Sequence, residues 1–157
     1  MKDKSISITL VAATRMMIFC GLLTFSTSAM AQYSMAQSGD KHCSNRTLSG
    51  DYGFALEGEI LGPSLPLRGV VMQHYDGKGA LTQVDHVVVN GMPPTVEWTE
   101  GSGTYTVNPN CTGSAVINIP GKPLSPVNLH FVVVNQGREI HQVVDANTVT
   151  AVGTKVD

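Results

Sequence analysis

From Asp51 the chain alternates apolar and polar or small residues, with Tyr52, Phe54 and Leu56 set against Gly53, Ala55 and Glu57. A period of two is that of a half-buried strand, whose successive side chains point to opposite faces. The same reading predicts strands over 51–60, 67–75, 80–89, 95–100, 102–107, 112–119, 127–134, 139–145 and 148–156, with Gly101 and Gly103 marking a bend or bulge in the middle of the set. The turns between them carry their own chemistry. Asp76-Gly-Lys-Gly79, Asn108-Pro-Asn110 and Asn135-Gln-Gly-Arg138 are hairpin connectors, and 61–66, 90–94 and 120–126 are loops rich in Pro and Gly. No window of about eleven residues repeats its apolar positions at helical spacing.

About eight short strands joined in sequence by hairpins make an antiparallel meander, which must hide its two edges. An up-and-down β-barrel suits connections without a long crossover, with a β-sandwich as the alternative. The segments Val87-Val-Val-Asn-Gly91 and Val132-Val-Val-Asn-Gln-Gly137 echo each other as hairpin ends rather than as a duplication.

Residues 1–31 follow a different rule. Lys2, Lys4 and Arg15 precede an apolar block from Met16 to Phe25, and small residues end in Ala29-Met30-Ala31. That order is a secretory signal peptide with cleavage after Ala31. The block is too short to span a bilayer, which takes roughly 20 residues. The expected organisation is therefore a leader at 1–31, a polar N-terminal arm at 32–47 and a barrel at 48–157, in a secreted or periplasmic protein that leaves the membrane once the leader is cut.

Loss of the leader changes charge and cysteine content. Ten Lys plus Arg fall to seven without Lys2, Lys4 and Arg15, and twelve Asp plus Glu fall to eleven without Asp3, a net charge of −4. An acidic surface with no basic run excludes nucleic acid as a partner. Cys20 goes with the leader, leaving Cys43 and Cys111, which in an oxidising compartment have only each other as partner.

The stretches Gly50-x-Tyr-Gly-Phe54, Asp76-Gly-x-Gly79, Gly103-Thr-Tyr-Thr-Val107, Cys111-x-Gly113 and Phe131-Val-x-Val-x-x-Gly-x-Glu-Ile140 together resemble small secreted bacterial proteins of unknown function, with barrels similar to the calycin and allene-oxide-cyclase type. The resemblance covers about residues 43–154. It implies a barrel and carries no catalytic motif with it.

Candidate chemistry is sparse. In 84–89 either Asp85 or His86 must face inward, because neighbours on a strand point to opposite faces. In the last hairpin a turn at Gln136-Gly137 places Val132 opposite His141, with His130 on the diagonal and Glu139 on the same face as His141; a one-residue slip would pair the two histidines and open a His/His/carboxylate site. Asp85, His86, His130, His141 and Glu139 are thus the catalytic candidates. Tyr52, Phe54, Trp98 and His86 are candidates to touch a ligand, Trp98 as an aromatic that stacks at a barrel mouth. The close histidine spacings of a metal site are missing, and no metal or cofactor is expected. Asp76-Gly-Lys-Gly79 has no helix after it and reads as a turn rather than a phosphate cradle. The leading function is binding of a small apolar molecule in the barrel. The alternatives are an isomerase- or cyclase-like or metal-dependent enzyme using inward polar residues, and a structural or surface-interaction protein with a filled core.

Overall fold

A computed structural model of the chain describes residues 42–157. The expected leader, and the part of the arm before His42, lie outside the described residues. The alternating segments form eight strands: β1 (Ser49–Ile60), β2 (Leu65–Asp76), β3 (Ala80–Val89), β4 (Thr99–Val107), β5 (Thr112–Asn118), β6 (Val127–Val134), β7 (Glu139–Val144) and β8 (Thr150–Lys155). Each pairs antiparallel with the next, and β1 pairs with β8, so the sheet is a closed up-and-down barrel without a free edge. Most inward positions are apolar: Phe54, Val71, Leu81, Tyr105, Ile117, Leu129, Phe131 and Ile140 are all buried. Outward positions are mixed: Asp51, Arg68, His74, Thr82 and Thr104 are exposed, as are the apolar Val70, Met72, Val116, Val132, Val143 and Val152. Among the described residues no helix is long and apolar enough to cross a membrane.

One expected strand differs. Residues 95–98 are bends, and β4 begins only at Thr99 and runs unbroken through Gly101 and Gly103. Pairing of β3 with β4 runs only from Ala80 to Asp85, and residues 90–98 form the long β3–β4 loop, tied back to β3 by the Val89–Met92 bridge.

The two ends of the barrel are built differently. At the end holding the β2–β3, β4–β5 and β6–β7 turns, the chain from Cys43 to Leu48 crosses the opening. Leu48 is fully buried there. Tyr52, Tyr75 and Tyr105 fill the lumen above it edge to face, with ring centroids 5.4 and 4.9 Å apart. Each hydroxyl has a partner: Tyr52 donates to the Gly137 carbonyl, Tyr75 to Gln73 Oε1 at 2.7 Å, and Tyr105 faces the Leu48 carbonyl at 3.0 Å. Asn45 ties the crossing segment to the wall, accepting from the Val107 backbone N–H at 2.8 Å and donating to the Lys78 carbonyl at 3.3 Å.

The expected cysteine pair is present. Cys43 and Cys111 are bonded, with Cα atoms 5.0 Å apart, and the Cys43 N–H donates to the Pro109 carbonyl at 3.1 Å. Cys111 occupies the last position of the β4–β5 turn, where the Cys111 N–H donates to the Asn108 carbonyl at 2.9 Å and φ is 67°. Glycine usually takes that left-handed position in a three-residue hairpin loop, and a residue with a Cβ there costs about 1–2 kcal/mol. The turn accepts that cost and gains the cross-link.

Candidate functional site

The other half of the lumen is not filled. Above the tyrosines a cavity of about 330 Å³ opens toward the β1–β2, β5–β6 and β7–β8 loops. Its walls are mostly aliphatic, with Leu56, Leu67, Val71, Ile117, Leu129 and Val149 among them. These are the inward residues of the mouth-side half of each strand, where the alternation continues but the aromatic residues stop.

Polar groups enter this cavity on two sides. On one wall Gln73 of β2 stands directly opposite Gln83 of β3, and Asp85 follows two residues on from Gln83 on the same face. Gln73 Nε2 donates to Gln83 Oε1 at 2.9 Å, and Gln83 Nε2 donates to Asp85 Oδ2 at 2.9 Å. With the Tyr75 hydroxyl donating to Gln73, four side chains form one directed chain of hydrogen bonds from the aromatic plug to Asp85. The direction follows from its end: an ionised carboxylate only accepts, so Gln83 must turn its amide nitrogen to Asp85 and its oxygen to Gln73. Gly101 lies opposite Gln83 on β4, and a Cβ there would come 3.0 Å from Gln83 Cγ. The glycine leaves room for the amide to lie along the wall.

Asp85 is 3% exposed, and burial pushes its carboxyl above the usual carboxylate range, against the opposing pull of the Gln83 hydrogen bond and the more distant Lys122 and His86. Across the lumen, the buried Gln142 Oε1 has no hydrogen-bond partner. The buried Thr99 Oγ1, on the residue of β4 that faces Asp85, has none either. Burial also raises the Tyr75 hydroxyl, helped by the neighbouring Tyr52 and Tyr105.

The sequence candidates distribute as follows. Of Asp85 and His86, Asp85 faces inward. His86 points out, and its Nδ1–H donates to the Glu97 carbonyl at 2.6 Å, with the half-exposed Trp98 ring 6.0 Å away. This pair pins the β3–β4 loop and does not line the cavity. Tyr52 and Phe54 are buried in the plugged half, outside the cavity lining. His130 and His141 are diagonal neighbours on the outer face and are not direct partners. Val132 is opposite His141, as the turn requires, while His130 faces Val143. His130 Nδ1 pairs with Asp145 at 2.9 Å and His141 with Glu139, all on the outer surface. His74 pairs with Asp51 in the same way at 2.7 Å. Among the described residues no three His, Cys, Asp or Glu side chains are placed to hold a metal ion.

Gln73, Gln83 and Gln142 were missed by the sequence reading. Their signal was parity: Gln73 shares its face with Val71 and Tyr75, and Gln83 with Leu81, so each is a polar residue on an apolar row. The Asp76 turn, by contrast, is structural. Its Oδ1 accepts from the backbone N–H groups of Lys78, Gly79 and Ala80 at 2.7, 2.8 and 2.9 Å, which holds the carboxyl below its ordinary range.

The chain matches no protein-family model, and neither a curated protein nor a solved structure is significantly similar to it.

Proposed function

We propose that this chain is a secreted or periplasmic carrier or receptor that takes a small, largely apolar molecule into the open half of its barrel. The observation that carries this reading is the unequal filling of the lumen. One end is closed by a cross-linked segment and three tyrosines, while the other keeps about 330 Å³ of aliphatic-lined space with a few polar groups. Ligand sites have that composition and start at roughly that size, about 300 Å³. A purely structural barrel of eight strands can fill its lumen with its own side chains, and here only the plugged half does so. The resemblance of the glycine and aromatic motifs to small secreted bacterial proteins of unknown function, with calycin- and allene-oxide-cyclase-like barrels, fits the same reading. So does a disulfide, which belongs to oxidising compartments.

Titration of purified protein with the fluorescent apolar probe N-phenyl-1-naphthylamine tests it. The expected result is saturable enhancement that Val127→Phe, which places a ring into the cavity, weakens about tenfold or more while circular dichroism stays native. No binding, or equal binding by the filled variant, overturns the reading.

A second reading has one observation in its favour. A carboxyl held above its usual range in an apolar cavity is the setting of a general acid or base. Binding is preferred because His86, the neighbour that would serve as a proton partner, faces the outer surface and bonds a loop carbonyl.

A further inference from the structure

We propose that the molecule bound in this cavity is an apolar amine, held by an ion pair between its ammonium group and Asp85. The inference rests on the binding reading above and adds the class of ligand.

The argument is one of unmatched hydrogen-bonding capacity. Asp85 receives one hydrogen bond on Oδ2, from Gln83, the last link of the chain that runs from Tyr75 through Gln73. Among the described residues the cavity lining contains no Lys, Arg or His; Lys122 on the β5–β6 loop and the outward His86 attract the buried carboxylate without forming an ion pair with it. Such a charge without an ion-pair partner is costly in an apolar wall, and Gln142 Oε1 on the opposite wall is a further unmet acceptor, while the unpaired Thr99 hydroxyl beside Asp85 can either donate or accept. A cavity with a negative charge on one wall and an unmet acceptor on the other is complementary to a group that is positive and rich in donors.

An ammonium group has several N–H donors, no acceptor and a charge opposite to that of Asp85. An alcohol brings a single donor and no charge to meet that of Asp85. A carboxylate, the head group of the fatty acids that suit many apolar lumens, meets a like charge. The aliphatic walls then take the hydrocarbon part. Gly101 and the Gln73–Gln83 pair keep the carboxylate from turning away, since Gln83 holds Oδ2 from within the wall.

The test is isothermal titration calorimetry of the purified protein at neutral pH with three probes sharing one chain: n-octylamine, n-octanol and n-octanoate. Octylamine should bind at least about tenfold more tightly than octanol, the scale of a charge-assisted contact, and octanoate should bind weakest. In Asp85→Asn the advantage of octylamine over octanol should disappear while octanol changes little. Gln142→Leu should weaken octylamine more than octanol, and it checks the same point in a variant that keeps the carboxylate. If wild-type protein binds octanol or octanoate as tightly as octylamine, the amine inference is overturned while the binding reading survives. If none of the three binds and the naphthylamine probe also fails, the binding reading falls and this inference with it.

Discussion

Phe54 and Gly153 face each other across the seam where β1 meets β8, and the Phe54 ring covers the glycine so closely that a Cβ there would lie 2.3 Å from a ring carbon. Gly113 and Phe131 repeat the arrangement between β5 and β6, with the same 2.3 Å approach. An aromatic ring laid over an opposing glycine shields its backbone and lets the sheet coil tightly, which a small barrel needs in order to close. Gly153→Ala and Gly113→Ala should therefore each destabilise by about 1–3 kcal/mol through overpacking. Urea denaturation measures it; a change within about 0.5 kcal/mol at both sites would show that the rings can move aside freely.

The Cys43–Cys111 bond closes a loop with a sequence separation of 68. In the chain-entropy account such a loop is worth about 4 kcal/mol. It also holds down the segment ending in Leu48, which closes the plugged end. Replacing both cysteines by serine should cost about 2–5 kcal/mol. Amide exchange should rise first at residues 43–48 and at the tyrosines packed against them. Uniform loss of protection across all strands would contradict the role given to the plug.

The sequence carried the closed meander well because each of its determinants is local. Alternation placed Tyr52 and Phe54 inward, and the turn at Gln136-Gly137 placed Val132 against His141. Parity alone reduced Asp85 and His86 to one inward residue, and packing chose Asp85. What was not legible depends on depth along the barrel axis. Tyr52 and Leu56 share a face, yet only Leu56 lines the cavity, because three tyrosines from three strands meet at one level. No single strand encodes that coincidence. The expected strand at 95–98 failed for a similar reason, since alternation is a local signal and does not say where the pairing of β3 with β4 ends, which is at Asp85 and Thr99.

Gln73 and Gln83 form the central link of the buried polar chain and lie opposite each other on β2 and β3. Gln83→Leu leaves Gln73 Nε2 and Asp85 Oδ2 without their partners, and should cost about 1–3 kcal/mol. Gln73→Leu breaks the same Gln73–Gln83 bond and strips the Tyr75 hydroxyl of its acceptor. Because the two variants share that bond, the double replacement should cost less than the sum of the singles by about 0.5–3 kcal/mol. Additive losses in a denaturation cycle would mean that the two amides act independently.

Asp85 and Asp76 give the barrel opposite responses to acid. The Asp85 carboxyl has an ordinary value of 3.8 and is held higher in the folded barrel, chiefly by burial. The folded state therefore keeps a proton that the unfolded chain has released, so this contribution is fully present below 3.8 and is lost as pH rises through the folded value. Asp76 is held lower by its backbone donors, so its contribution is present above 3.8 and is lost as pH falls through its depressed value. Asp85→Asn keeps an acceptor for Gln83 and removes the charge. It should leave stability unchanged in acid and raise it above the wild type at neutral pH, flattening the decline between. Asp76→Asn should do the reverse, matching the wild type in acid and falling below it at neutral pH. Urea midpoints measured from about pH 3 to 8 give both curves. Parallel curves for Asp85→Asn and wild type would mean that the buried carboxylate carries no penalty in the empty cavity, and the case for a cationic ligand would lose its physical cause.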